Sequence, residues 1–375
     1  VFRPLFEVRG LRVAVADDRN ALRNGVGPVT DDGEQLPPGW VELLSGVSFS
    51  VNEGEVLGLV GESASGKSLM LMGAFGLLSS GARVIGGTSI YRGYEYQPFH
   101  PWKGEDDRRS RKEKKQRRIA GTSVAGYNDD EWSRLVGTEV GFMFQNPVGA
   151  WTPDLAIGEQ SGEALTEHTD LSSEEITERV YDALGEVHLP RSSRLFGAFR
   201  HQLSRGMAQR AMLAAALTKS PNLLIADEPL NGLDAPVAAG IVDLIQDMQK
   251  RRGMAMIFIT HDLASVARIA DRVAVVYGGQ IVEQASATEI FHHPRHPYTS
   301  GLVGSIPGTA PGRLHQIEGE APLLVDLPRD RCPFVERCKH AIDICRSGDP
   351  APSVVGASEV RCHLASDLDL PGVRD

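Results

Sequence analysis

Gly61-Glu62-Ser63-Ala64-Ser65-Gly66-Lys67-Ser68 sets four residues between two glycines and follows the second glycine with lysine and serine. That pattern suits a bound triphosphate. Main-chain N–H groups of a loop opening into a helix converge on an anion, and the helix dipole adds to the attraction. Gly61 and Gly66 let backbone approach the ligand closely, Lys67 reaches the outer phosphates, and Ser68 offers its hydroxyl to Mg²⁺. Breaking the terminal phosphate off needs more groups. Asp227 and Glu228 end an apolar run, with Asp227 suited to Mg²⁺ and Glu228 to polarising a water for attack. His261 closes another apolar run, where it could contact the γ-phosphate and position that water. Gln145 closes a third, and its amide could bind Mg²⁺ or the attacking water.

These side chains work together only if strand ends bring them to one edge. VLGLV before the loop, EVGFMF before Gln145, LLIAD and MIFIT all read as short buried strands. Between them lie helical stretches: residues 154–200, where SSEEITERVYDALGEV has Ser172 or Ser173 as N-cap, then QLSRGMAQRAMLAAALTKSP, then APVAAGIVDLIQDMQKRRG closed by Gly253. Alternating strands and helices predict a mostly parallel sheet covered on both faces, with ligands at the strands' carboxyl ends. FEVRGLRVAVAD and LLSGVSFSVNEG alternate as antiparallel strands, and RVAVVYGGQIVEQ reads as a hairpin turning at Gly278-Gly279. Residues 17–40 form a polar excursion. The Lys/Arg-dense run within 98–131 reads as a solvated insertion, helical or disordered, with phospholipid headgroups as an alternative contact. Near 285–295 periodicity weakens, which predicts a boundary between an ATPase domain (1–290) and a C-terminal domain (291–375).

The 375 residues have room for two or three domains. A net charge of −10 argues against a general nucleic-acid surface, so no nucleic-acid partner is expected. No apolar stretch is long enough to span a bilayer, and VFRPLFEVRG lacks the apolar core of a signal peptide; the expectation is a cytosolic chain or one attached to a membrane-spanning partner. Cys332, Cys338, Cys345 and Cys362 are separated by five, six and sixteen residues. Disulfides do not suit a cytosolic ATPase. Structural zinc sites space their paired cysteines more closely, and iron–sulfur clusters accept wider spacing, so cluster, zinc and free thiols all stay open.

Taken in order, GESASGKS (61–68), FQNP (144–147), LSRGM (203–207), LLIADE (223–228), NGLD (231–234) and ITHD (259–262) resemble the ATPase subunits of ATP-binding cassette (ABC) transporters. QNPVGAWTP, PRHPYTSGLVGSIPG and RCPFVERCKHAIDIC resemble the oligopeptide, dipeptide and nickel permease branch. The resemblance implies a P-loop NTPase (RecA-like) α/β core, an antiparallel β subdomain, a helical subdomain at about 148–205 and a small cysteine-bearing C-terminal domain. It implies two ATPase subunits, as a heterodimer, with ATP held between one subunit's phosphate loop and the other's signature. In this chain the signature is Leu203, Ser204, Arg205, Gly206 and Met207, and the D-loop ends at Asp234. Ser204 would cap the signature helix and meet the partner-bound γ-phosphate. ATP closes the pair and hydrolysis opens it. The motion passes to two permease subunits fed by an extracytoplasmic binding protein, with this chain peripheral on the cytoplasmic face of the membrane. Some members of the branch carry a [4Fe-4S] cluster where the four cysteines fall. The alternatives are an importer of nickel or another small solute, a soluble cassette ATPase acting on nucleic acid or ribosomes, and a module that holds ATP without hydrolysis.

Three departures stand out. Arg205 occupies a place where the family has glycine, which either blocks close approach to the partner's γ-phosphate or adds positive charge there. Val15 stands where an aromatic residue stacks on adenine, with Trp40 as a possible substitute, and NGLD replaces the commoner Ser-Ala-Leu-Asp.

Overall fold

The computed structural model describes residues 3–17, 27–79, 81–97, 129–306 and 317–373. The basic run and most of the first polar excursion lie outside the described residues. Two sheets organise the rest. β1 (Phe6–Ala16), β2 (Trp40–Val51), β4 (Ala82–Tyr91) and β5 (Tyr94–Tyr96) form an antiparallel sheet in the order β2-β1-β4-β5. Bulges between Val8 and Ala14 shift the β1–β2 register. Val13 and Ala14 are consequently both buried, in separate clusters: Val13 in the main core of this sheet, Ala14 with Leu36, Ile85 and the flank of Trp40. Trp40 packs against that cluster and remains partly exposed.

The second sheet has eight strands. β3 (Val56–Val60), β6 (Val140–Met143), β7 (Leu223–Asp227), β8 (Ala255–Thr260) and β9 (Arg272–Tyr277) run parallel in the order β9-β3-β8-β7-β6. Every residue of β3, β7 and β8 is buried, as continuous apolar strands covered on both faces must be. α1 (Lys67–Ala74) follows β3, and α2 (Asp129–Glu139) leads into β6. A helical lobe contains α3 (Ile157–His168), α4 (Ser173–Glu186) and α5 (Arg205–Leu217). Ser172 and Glu175 cap α4 reciprocally, at 3.3 and 2.8 Å, so Ser172 rather than Ser173 is the cap. α6 (Ala235–Arg252) stops at Gly253 in the left-handed conformation, φ 61°, after Lys250, Arg251 and Arg252 in the last turn. α7 (Leu263–Ile269) follows β8. As expected from the paired glycines, β9 turns into β10 (Gln280–Ser286) as an antiparallel hairpin.

The stretch after 290 is bound into this framework and builds no separate core among the described residues. α8 (Ala287–His292) and α9 (Pro297–Gly304) pack back on the sheet. β11 (Ser353–Val355) and β12 (Ser358–Val360) then extend it beyond β10. Cys332, Phe334, Val335 and Cys345 belong to the same apolar cluster as Val60, Met143 and Ala226. The change of texture near 290 is therefore not a break in packing, since β12 pairs with β10 across it. No helix among the described residues is long and apolar enough to cross a membrane.

Candidate nucleotide site

β3 ends at Val60 and the chain turns at once. Gly61 has φ 155°, and a Cβ there would run into the carbonyl oxygen of Val276 on β9. Gly66, at φ 105°, starts α1, and its own Cβ would lie 2.9 Å from Leu44. Both glycines are thus required by a loop pressed between β9 and β2. Inside it Ala64 is also left-handed, at φ 61°. Ser65 N–H donates to the Glu62 carbonyl at 3.3 Å, and the Ser65 carbonyl accepts from Gly279 N–H at 3.1 Å.

Lys67 is almost wholly buried, its side chain 5% exposed. Its Nζ donates to the carbonyls of Gly61 and Glu62, both at 2.9 Å, and stands 4.0 Å from Glu228 Oε1. Burial lowers its pKa, with Glu228, Asp227 and Glu62 pulling the other way. Ser68 Oγ donates to Asp227 Oδ1 at 3.0 Å. The Asp227 carboxyl is raised by burial, partly offset by the Ser68 hydrogen bond. A hydroxyl and a carboxylate 3.0 Å apart, at the mouth of the loop, form a ready pair of hard oxygen ligands.

Glu228, the first residue past β7, takes φ 48°, a conformation costly for a residue with a Cβ. Its N–H donates to the Ile259 carbonyl at 2.9 Å, tying it to β8. The kink turns the carboxylate toward His261, whose Nδ1 lies 2.8 Å from Oε2. Asp262 caps α7 by accepting from Ala264 N–H at 3.1 Å, and its own N–H donates to Thr260 Oγ1 at 3.0 Å. Those bonds set the backbone that presents the imidazole, more than half of which stays exposed. Gln145 is exposed two residues beyond β6, whose Met143 pairs with Ala226. Parallel register therefore leaves it on the same edge as Asp227 and Glu228.

The signature residues sit elsewhere. Ser204 caps α5, accepting from Met207 N–H at 3.3 Å; Leu203, Gly206 and Met207 are half-buried around that turn. Arg205 folds onto the D-loop, its Nη1 donating to the Gly232 carbonyl at 3.0 Å, and Asp234 begins α6 as its N-cap. The signature turn and the D-loop of one chain are thus linked to each other, and neither hydrogen-bonds with residues 61–68 among the described residues.

Two groups touching the loop come from PRHPYTSGLVGSIPG and RCPFVERCKHAIDIC, stretches whose sequence marks the branch and assigns them no place at the phosphates. Tyr298 Oη accepts from Glu62 N–H at 2.9 Å, and Arg337 forms a two-pronged ion pair with the Glu62 carboxylate at 2.6 and 3.0 Å. A cavity of about 210 Å³ opens beside residues 62–65, with Ala321, Pro322 and Leu324 on its other wall.

All four cysteines line a second cavity, of about 330 Å³, with Phe334, His296 and His363. Burial pushes the Cys332 thiol up to about 12 and Cys362 up to about 11, and raises Cys338 too. Among the described residues, no three His, Cys, Asp or Glu side chains draw together tightly enough to ligate one metal ion.

The chain matches the family model described as ABC transporter over residues 44–231, and the one described as oligopeptide/dipeptide transporter, C-terminal region, over residues 282–345. It is 38% identical to a putative peptide import ATP-binding protein of Brucella ovis, covering 83% of this chain and 87% of that one. It is 36% identical to the dipeptide transport ATP-binding protein DppD of Escherichia coli, covering 86% and 90%. In fold it is similar to the dimeric ATP-binding cassette MJ0796 bound to ADP and Pi (TM-score 0.54, 20% identity, 75% of this chain and 98% of that one). It is also similar to cbiO1 of Clostridium perfringens (TM-score 0.51, 22% identity, 75% and 90%). The motif order, the phosphate loop set against Asp227, Glu228 and His261, and these matches agree: the chain belongs to the ABC transporter ATPase family, in its oligopeptide/dipeptide branch.

Proposed function

We propose that the chain is the ATP-hydrolysing subunit of a peptide importer, and that residues 61–68 hold the triphosphate. The observation that carries the reading is the gathering of Lys67, Ser68, Asp227, Glu228 and His261 at one sheet edge. Lys67 is poised to exchange two carbonyl partners for the outer phosphates. Ser68, Asp227 and Gln145 would hold Mg²⁺, which supplies charge neutralisation at the phosphates. Glu228 takes up proton density from the attacking water, and His261 orients that water and the γ-phosphate. Because Ser204 caps a helix remote from this loop, that helix N-terminus, with Met207 N–H already bonded to Ser204 Oγ, would turn its dipole toward a partner subunit's ATP. That geometry supports a head-to-tail pair, which we assign as a heterodimer with a second ATPase at the cytoplasmic face of two permease subunits. The names borne by the relatives support peptide as the cargo, delivered by an extracytoplasmic binding protein.

The four thiols fit an iron–sulfur cluster better than zinc. All four line one cavity, and their wide spacing in sequence suits a cluster more than the close pairs of structural zinc sites. Cys332, Cys338, Cys345 and Cys362 would hold it, and the cluster would tie down the turns between β10 and β12. Protein prepared anaerobically that shows neither iron nor a broad absorbance near 400 nm would exclude it. For the transport role, the chain is co-reconstituted in vesicles with its permeases and partner ATPase. ATP turnover is expected to rise when a peptide-loaded binding protein is added; turnover indifferent to it overturns the assignment.

A further inference from the structure

Glu62 is held from three directions. Tyr298 takes its N–H, Lys67 takes its carbonyl at 2.9 Å, and Arg337 grips its carboxylate with both terminal nitrogens. Arg337 is itself fixed: Nε donates to the Glu318 carbonyl at 2.9 Å and Nη2 to the Gly319 carbonyl at 3.1 Å. Its guanidinium lies 5.8 and 5.9 Å from the ring centres of Tyr277 and Phe334. The side chain is only 6% exposed, and it lies 275 residues from Glu62 in sequence. When Lys67 turns to the phosphates, Glu62 keeps its anchors to Tyr298 and Arg337. Those anchors fix the first limb of the loop while the N–H groups of residues 63–68 converge on the ligand. There is also an electrostatic consequence. An unpaired carboxylate at position 62 would face an incoming triphosphate, and Arg337, itself buried, neutralises the half-buried Glu62.

From this geometry we propose that Arg337 is a positioning residue for nucleotide binding, acting through Glu62. The proposal rests on the reading of residues 61–68 as the triphosphate site. Equilibrium binding of MgATP to the full chain tests it, together with KM and kcat for ATP in the assembled complex. Arg337→Met is expected to weaken MgATP binding about tenfold, by losing the charge-assisted pair and exposing the Glu62 charge. KM should rise while kcat at saturating ATP stays within about twofold, since Arg337 is remote from the reacting atoms. Adding Glu62→Gln removes the stranded charge, so the double variant should bind ATP more tightly than Arg337→Met alone. A purely structural role for Arg337 gives no such rescue. Should Arg337→Met fail to fold by urea titration, Arg337→Lys carries the test. It keeps the charge, loses the fork, and should weaken binding about threefold. Wild-type affinity in either Arg337 variant, or a double variant no better than Arg337→Met, overturns the proposal. A wild-type chain that does not bind MgATP overturns the underlying nucleotide reading instead.

Discussion

Replacing Glu228 by glutamine separates binding from chemistry. The side chain is 8% exposed, lies 4.0 Å from Lys67 Nζ and shares a 2.8 Å hydrogen bond with His261. An amide of the same shape keeps the packing and can still bond the imidazole, but it cannot accept a proton from water. A positioned general base contributes about 10²–10⁴ in rate, so the barrier should rise by roughly 3–5.5 kcal/mol. Binding should move the other way. At 4.0 Å a unit pair attracts with an upper bound of about 4 kcal/mol at an effective dielectric of 20, and that attraction holds Lys67 back from the phosphates. Removing the negative charge also relieves its repulsion of the triphosphate. MgATP affinity should therefore be unchanged or tighter, and turnover should drop at least a hundredfold. Single-turnover hydrolysis and equilibrium binding on the same preparation measure both quantities. Turnover within about tenfold of wild type, or affinity lost in parallel with turnover, would refute the role given to this carboxylate.

In the proposed heterodimer, a Cβ at position 205 beside the partner's γ-phosphate, with the guanidinium drawn off to the Gly232 carbonyl, should make the two composite sites unequal. Glu228→Gln in this chain should then cost more turnover than the equivalent change in the partner; equal losses would remove the asymmetry. Arg205→Gly, which also frees the Gly232 carbonyl, should raise turnover at the site built with the partner's phosphate loop. His296 gives a pH dependence. Its Nδ1 accepts from Tyr298 N–H at 3.1 Å, and burial lowers its pKa to about 3 from 6.5. A base with a depressed folded pKa stabilises the fold above its unfolded value and loses that contribution as pH falls. Between pH 6.5 and 3, urea stability should therefore fall with a component of about 1.4 kcal/mol per pH unit for this one proton. His296→Asn, which retains a capping acceptor, should lack that component; an unchanged pH profile contradicts it.

Much of the site could be read from local pattern. Gly61, Asp227 and His261 each close a short apolar run, and parallel pairing of such runs leaves their ends on one edge. Ser172, Gly253 and Gly278-Gly279 announce a cap, a stop and a hairpin for reasons internal to a few residues. What the pattern could not reveal is long-range. Arg337 meets Glu62 across 275 residues of sequence, and no periodicity encodes that return. Arg205 gave two opposed readings because its direction depends on the D-loop, which offers it the Gly232 carbonyl. Trp40 packs one flank against Ala14, Leu36 and Ile85 and stays partly exposed, a placement set by the bulged register of β1 and not by local pattern.

A triphosphate cradled by main-chain amides at residues 61–68 should be gripped by the Lys67 ammonium. Equilibrium binding of MgATP to the wild-type chain and to Lys67→Ala tests it most directly. Saturable binding by the wild type and a loss of at least tenfold in the variant are expected. Equal binding by the two chains would contradict it.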